Sequence, residues 1–189
     1  MGDASTGTGK VVVNRSMSLD GFIAGPGDAM DWIFDHLPGG VETMFPDVMA
    51  ATGAALVGRR TSDVGDRMAD PDNDEHAPGY DAGALFVLTH RPPADPVPGV
   101  TFLTGDIGEA VATALQAADG KNLEILGADV AAQCLRAGLV DEIMVFVLPV
   151  LLGDGVRFFS SPDLGRIDLE PLETKRSGDL TTLRFRVRK

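Results

Sequence analysis

The amino-acid sequence predicts an α/β protein built on one mixed, mostly parallel central sheet. Residues 11–13, 54–57, 85–88, 123–126 and 143–147 are short, nearly continuous apolar runs, the pattern of strands covered on both faces. Between several of them lie stretches whose apolar residues recur at helical spacing. Residues 169–176 and 180–188 alternate instead and are joined by Ser177, Gly178 and Asp179, which reads as an antiparallel C-terminal hairpin.

Val11, Val12 and Val13 open the first strand, which continues through Met17 and ends in the turn Ser18-Leu19-Asp20-Gly21 before Phe22, Ile23 and Ala24. The cluster Gly25-Pro26-Gly27-Asp28 turns the chain again, and Trp32, Ile33 and Phe34 then form an apolar patch in what reads as a covering loop. A helix is expected over residues 41–51. Pro46 within it means either a kink or a helix that starts there. The strand at 54–57 runs into Gly58-Arg59-Arg60-Thr61, and residues 66–79 read as an exposed loop with a weak helical start. The strand at 85–88 ends in Thr89-His90-Arg91. After a short strand at 100–103, Asp106 is placed to cap a helix that Asp119 and Gly120 stop. Residues 123–155 then read as a parallel strand–helix–strand unit, with Gly127 at the entry to the helix and a glycine-rich turn from Pro149 to Gly155 after its second strand. Phe158 and Phe159 are expected in the core near a short helix.

With 189 residues and 44 % hydrophobic content, the chain is expected to form one domain over residues 10–189 behind a disordered tail of residues 1–9. The net charge of −12 excludes a nucleic-acid binder that works through a basic face. No apolar run is long enough to cross a bilayer, so a cytoplasmic protein is expected. Cys134, the single cysteine, lies on the core side of a helix and reads as inert. The three histidines lack metal-ligand spacing, so no metal is expected. Neither a P-loop nor a Gly-x-Gly-x-x-Gly turn is present.

Three strand ends share one theme: Val57-Gly58-Arg59-Arg60-Thr61, Thr89-His90-Arg91 and Leu126-Gly127-Ala128-Asp129-Val130. In open α/β sheets ligands bind beyond the carboxyl ends of parallel strands, so these loops can line one crevice. Glycines admit a pyrophosphate, Thr61 adds a donor, and Arg59, Arg60 and Arg91 offer charge-assisted bonds. Arginines gathered in an acidic chain favour a ligand with an extra phosphate, NADPH over NADH. Each arginine alone is equally well explained as a solvated or carboxylate-paired side chain. His90 alone reads better as a surface or packing residue. For Asp20 two readings compete: a simple Asp-Gly turn, or an acid that bonds a substrate ring nitrogen or relays a proton.

Taken together, Ser18 to Ala24, Gly58 to Thr61, Val87 to Arg91, the unit from Ile125 to Glu142 and Pro149 to Gly155 resemble the dihydrofolate reductase-like family. That family includes the reductase domain of riboflavin biosynthesis and many small bacterial proteins. The resemblance implies a three-layer α/β/α fold, NADPH as cofactor, hydride transfer to a small pterin- or pyrimidine-like heterocycle, and a homodimer. It implies Gly58, Arg59, Arg60 and Thr61 at the cofactor phosphates, and Thr89, His90 and Arg91 near the adenosine 2′-phosphate. Gly127, Ala128, Asp129 and Val130 would lie along the pyrophosphate and nicotinamide, with Asp20 facing the substrate alongside Asn14 and Trp32. Two departures stand out. Ala128 replaces the second glycine of the usual pair, which opens the alternative of a catalytically silent nucleotide-binding protein, and Asn14 stands where riboflavin-pathway reductases carry lysine.

Overall fold

The computed structural model describes residues 9–36, 46–69 and 83–189. Its centre is strand β1 (Val11–Ser18), which has parallel neighbours on both sides. Val11, Val12 and Val13 are buried on both faces, which explains the unbroken apolar run. Around β1 the chain lays down β2 (Phe22–Ala24), α1 (Asp31–Phe34), α2 (Pro46–Ala51), β3 (Thr52–Gly58) and α3 (Arg59–Ala69). It continues with β4 (Ala84–Leu88), β5 (Val100–Leu103), α4 (Ile107–Ala117), β6 (Asn122–Leu126) and α5 (Ala128–Arg136). The chain finishes with β7 (Glu142–Leu148), β8 (Val156–Arg157), β9 (Leu169–Ser177) and β10 (Leu180–Val187).

Eight strands form the main sheet in the order β5-β4-β3-β6-β1-β7-β10-β9. The first six are parallel, and β10 runs antiparallel to both β7 and β9. The strand–helix–strand unit therefore has its two strands on opposite sides of β1, not side by side. Helices α4 and α5 cover one face through Val111, Ala114, Val130 and Cys134. Trp32 and Ile33 of α1, Val48 of α2, and Val64 and Met68 of α3 cover the other. This is the three-layer α/β/α fold that the resemblance implies. Since β3 and β6 are neighbours while their following helices go to opposite faces, a crevice must open between the N-termini of α3 and α5.

Local differences from the sequence reading have local causes. Residues 31–34 make one helical turn, with Trp32 and Ile33 buried, where a loop was expected. Pro46 begins α2, while residues 41–45 lie outside the described residues. Helix α3 runs on to Ala69, and the rest of the acidic stretch to residue 82 also lies outside them. No helix forms at Phe158 and Phe159. That stretch follows β8, which pairs with β2 in a separate small sheet, leaving Phe158 buried and Phe159 half exposed. Asp106 caps α4 as expected, accepting from the Gly108 N–H at 2.7 Å. Among the described residues, no helix is long and apolar enough to cross a membrane.

One buried charge ties β7 and β10 to the residue just before β1. Glu142, 2 % exposed at the start of β7, accepts from Lys10 Nζ at 2.6 Å and from Arg184 of β10 at 2.6 Å. Burial raises its pKa, but the two cations outweigh that and hold it below the ordinary value. Its contribution is thus present above the unfolded pKa and is lost as pH falls through the lower folded one. Glu142→Gln should lower stability by about 2 kcal/mol, less than a fully buried break because both cations keep solvent. A urea titration at pH 7 reads this, and the deficit should shrink as pH falls through the lowered folded value.

Candidate functional site

The crevice at the β3–β6 switch encloses a cavity of about 440 Å³. One wall is the β3-to-α3 turn, with Gly58, Arg59, Arg60 and Thr61. Opposite stands the β6-to-α5 turn, with Gly127, Ala128, Asp129 and Val130. Thr89 and His90, after β4, close one end. The roof is the segment after β1, which contributes Ile23, Ala24, Asp28 and Met30, and Arg15 of β1 adds a cation to the lining. The three strand ends picked out in the sequence do converge.

Gly127 is the junction of the two turns. Its φ of 103° and ψ of 145° suit glycine, and a Cβ there would run into Thr61 Oγ1. The turn ahead of α5 can therefore close directly onto the turn ahead of α3. The first N–H groups of a helix have no intrahelical partners, so both turns can offer donors to a ligand beside the positive ends of two helix dipoles. Ala128 is the first residue of α5 and is not among the residues with positive φ. Its Cβ therefore imposes no backbone strain, which removes the conformational objection raised by the missing second glycine.

Other expected site residues stand elsewhere. Val57 and Leu126 are register partners at the ends of β3 and β6, directly behind the lining. Arg91 lies outside the lining, its backbone N–H donating to Thr89 Oγ1 at 3.2 Å. Asn14 is buried and donates to Glu124 Oε1 at 3.2 Å. Trp32 is 9 % exposed in the core of the second face, and its indole N–H has no acceptor among the described residues.

Asp20 sits in the turn after β1 but not in the crevice lining. Its Oδ1 accepts from Ser18 Oγ at 2.6 Å and from the Leu152 N–H at 3.2 Å, while Oδ2 accepts from the Gly153 N–H at 2.8 Å. Foremost the Ser18 hydroxyl, with help from the two amides and against some desolvation, holds its pKa down at about 2. Arg157 donates to the Asp20 carbonyl at 3.0 Å and stacks 4.3 Å from the centre of the Phe22 ring. Next to this, Gly155 passes so close to the Ala24 carbonyl that no Cβ fits. The turn after β1 and the glycine-rich turn after β7 are thereby fastened together, and they carry the crevice roof.

Two of the arginines already have carboxylate partners. Arg59 donates to Asp63 at 2.7 Å, an exposed pair one helical turn apart. Arg60 donates from Nε to both Asp28 oxygens at 2.9 Å and from its terminal nitrogen at 2.6 Å. Asp28, Arg15, Met30 and Gln133 also line the crevice, and no sequence pattern marks them. Asp28 looked like one more turn former, and no spacing ties it to an arginine 32 positions later. No cluster of three or more His, Cys, Asp or Glu side chains able to hold a metal is present among the described residues.

Comparison with known proteins agrees with this geometry. The uncharacterized protein YwjB of Bacillus subtilis is 26 % identical over 157 residues, covering 79 % of this chain and 82 % of that protein. A putative riboflavin biosynthesis protein from Shewanella sp. PV-4 superposes with a TM-score of 0.77 at 25 % identity, over 95 % of this chain and 99 % of that one. Dihydrofolate reductase from Enterococcus faecalis, solved in complex with NADP(H), superposes with a TM-score of 0.63 at 16 % identity, over 96 % and 98 %. The family model for the RibD C-terminal domain matches residues 9–183, and with the fold and the converging loops it shows that this chain belongs to the RibD C-terminal domain family.

Proposed function

We propose that the protein is an NADPH-dependent reductase that delivers a hydride to a small pterin- or pyrimidine-like heterocycle. The observation that carries this reading is the closure of Gly127 onto Thr61, which brings two helix N-termini to one crevice. A phosphate-bearing nucleotide suits this donor set. NADPH bound there supplies the hydride, so the protein's share is to bind, orient and shield.

In this reading Arg59, Arg60 and Thr61 hold phosphate, and Thr89, His90 and Arg91 face the adenosine end. Gly127, Ala128, Asp129 and Val130 follow the pyrophosphate toward the nicotinamide, with Val57 and Leu126 fixing both turns from behind. Asn14 and Trp32, buried outside the lining, are assigned to the substrate side as supports for it and not as contacts. Asp20 acts by position, keeping the roof in place through the turn at residues 150–157. The protein is proposed to work in the cytoplasm as a homodimer.

Calorimetric titration with NADPH and NADH, followed by assays of NADPH oxidation with dihydrofolate and aminopyrimidines, tests the proposal. Preference for NADPH and oxidation with at least one heterocycle are expected. Binding of neither nucleotide would remove it. Arg59→Ala should weaken NADPH about tenfold and NADH less, because the exposed Arg59–Asp63 pair is cheaply given up for a phosphate. Equal losses for the two nucleotides would dissociate Arg59 from the extra phosphate.

A further inference from the structure

Asp28 stands in the roof of the crevice, and its carboxylate faces Arg60 across the opening. Both of its oxygens accept from the guanidinium, the two-point geometry with which arginine also grips phosphate. The Asp28 side chain is 20 % exposed and that of Arg60 70 %. The pair is therefore anchored on the roof side and open to solvent on the arginine side. Arg67, two turns along α3, donates to the Asp28 carbonyl at 2.8 Å, so the same helix grips this residue twice.

The backbone is bent to make this contact. Gly27 and Asp28 have φ of 68° and 63°, and Asp28 is one of two non-glycine residues with positive φ among the described residues. Aspartate tolerates that region better than most residues, at a cost of about 1 kcal/mol. The loop is closed by the Gly25 N–H on the Ala29 carbonyl at 2.9 Å. A strained turn thus presents a carboxylate to an arginine that lines the crevice.

We propose that Asp28 sets the affinity of the crevice for phosphate: it holds Arg60 in the free protein, and a ligand phosphate must take that guanidinium from it. The proposal rests on the reading of the crevice as a nucleotide site. A phosphate offers the fork more acceptor oxygens than a carboxylate and at least as much charge, so the exchange is favourable, but its gain is reduced by the lost Asp28 pair and by repulsion from the Asp28 charge left nearby. Ligands without a phosphate at Arg60 leave the pair intact. Asp28 is thereby a specificity residue that works by competition.

Asp28→Asn is the sharp variant, since asparagine keeps the left-handed backbone and one acceptor while removing the charge. Calorimetry at fixed ionic strength with inorganic pyrophosphate and with NADPH should show binding about fivefold tighter than wild type. Arg60→Ala should then cost more in the Asp28→Asn background than in wild type, because the arginine it removes is no longer shared. In wild type, pyrophosphate should also speed amide hydrogen exchange over residues 25–30. Tight NADPH binding by wild type with unchanged or weaker binding by Asp28→Asn would overturn the role of Asp28 alone. Failure of wild type and variant alike to bind either probe would overturn the nucleotide site and this inference with it.

Discussion

Gly127→Ala should abolish measurable NADPH binding, with an affinity loss of a hundredfold or more, while the protein stays folded. The backbone at this position lies close to a region open in practice only to glycine, where another residue costs on the order of 1–3 kcal/mol. The added Cβ would also meet the Thr61 side chain, so the strain cannot relax without moving a neighbour. Either Thr61 swings away or the β6-to-α5 turn backs off. Both movements separate the two sets of donors, and a phosphate held from one side only loses about half of its charge-assisted bonds. The core beneath stays in place, because α5 anchors it with Val130 and Ala131 of its first turn and Cys134 of its second. Calorimetry with NADPH, beside thermal melting of the variant, separates the two effects. Ala128→Gly makes the informative contrast: since Ala128 already has ordinary helical angles, glycine there should change affinity by no more than about threefold and cost α5 a little stability. A loss of affinity in Ala128→Gly equal to that in Gly127→Ala would show that general loosening of the turn, and not the Gly127 junction, controls binding.

The parts of the fold visible in the sequence are those in which one residue type answers to one physical demand. Strands β1, β3, β4, β6 and β7 are covered on both faces, so their apolar runs announce them. The C-terminal hairpin announces itself by alternation and a glycine turn. The crevice walls were legible for a related reason, since glycine and cations at strand ends have few other uses when three such ends occur together. What stayed hidden is pairing between distant residues. Strands β2 and β8 have three and two residues, too short for any period, and exist because Phe22 and Ala24 meet Arg157 and Val156 across a long loop. The Asp28–Arg60 pair is equally silent, since an aspartate in a Gly-Pro-Gly-Asp cluster is sufficiently explained by the turn. Arg91, read from its neighbours, falls just outside the lining because Thr89 turns the backbone after β4.

Asp20→Asn should cut NADPH oxidation by roughly a hundredfold and leave NADPH affinity nearly unchanged, a split expected when a distant change shifts the reacting geometry by about 1 Å. All three groups bonded to the Asp20 carboxylate approach as donors: Ser18 Oγ, and the N–H groups of Leu152 and Gly153. The carboxamide turns one acceptor into a donor and faces a backbone N–H with it. That bond cannot be recovered by rotating the hydroxyl alone. The turn at residues 150–157 then loses its tie to the turn after β1, and β2, which carries Ile23 and Ala24 into the roof, loses its support. Amide exchange at Leu152 and Gly153 should accelerate sharply. A proton-relay role predicts something else, because its loss would leave those amides protected. A relay also needs a pKa near the working pH, and a carboxyl held at about 2 keeps no proton to give at neutrality. The same low value sets the acid response. A depressed pKa gives a contribution present above the unfolded value near 3.8 and lost as pH falls toward 2. Wild-type Leu152 and Gly153 should therefore lose their excess protection in that window, and Asp20→Asn should show no such step. Retained protection in Asp20→Asn, together with a large fall in turnover, would return Asp20 to the reacting centre.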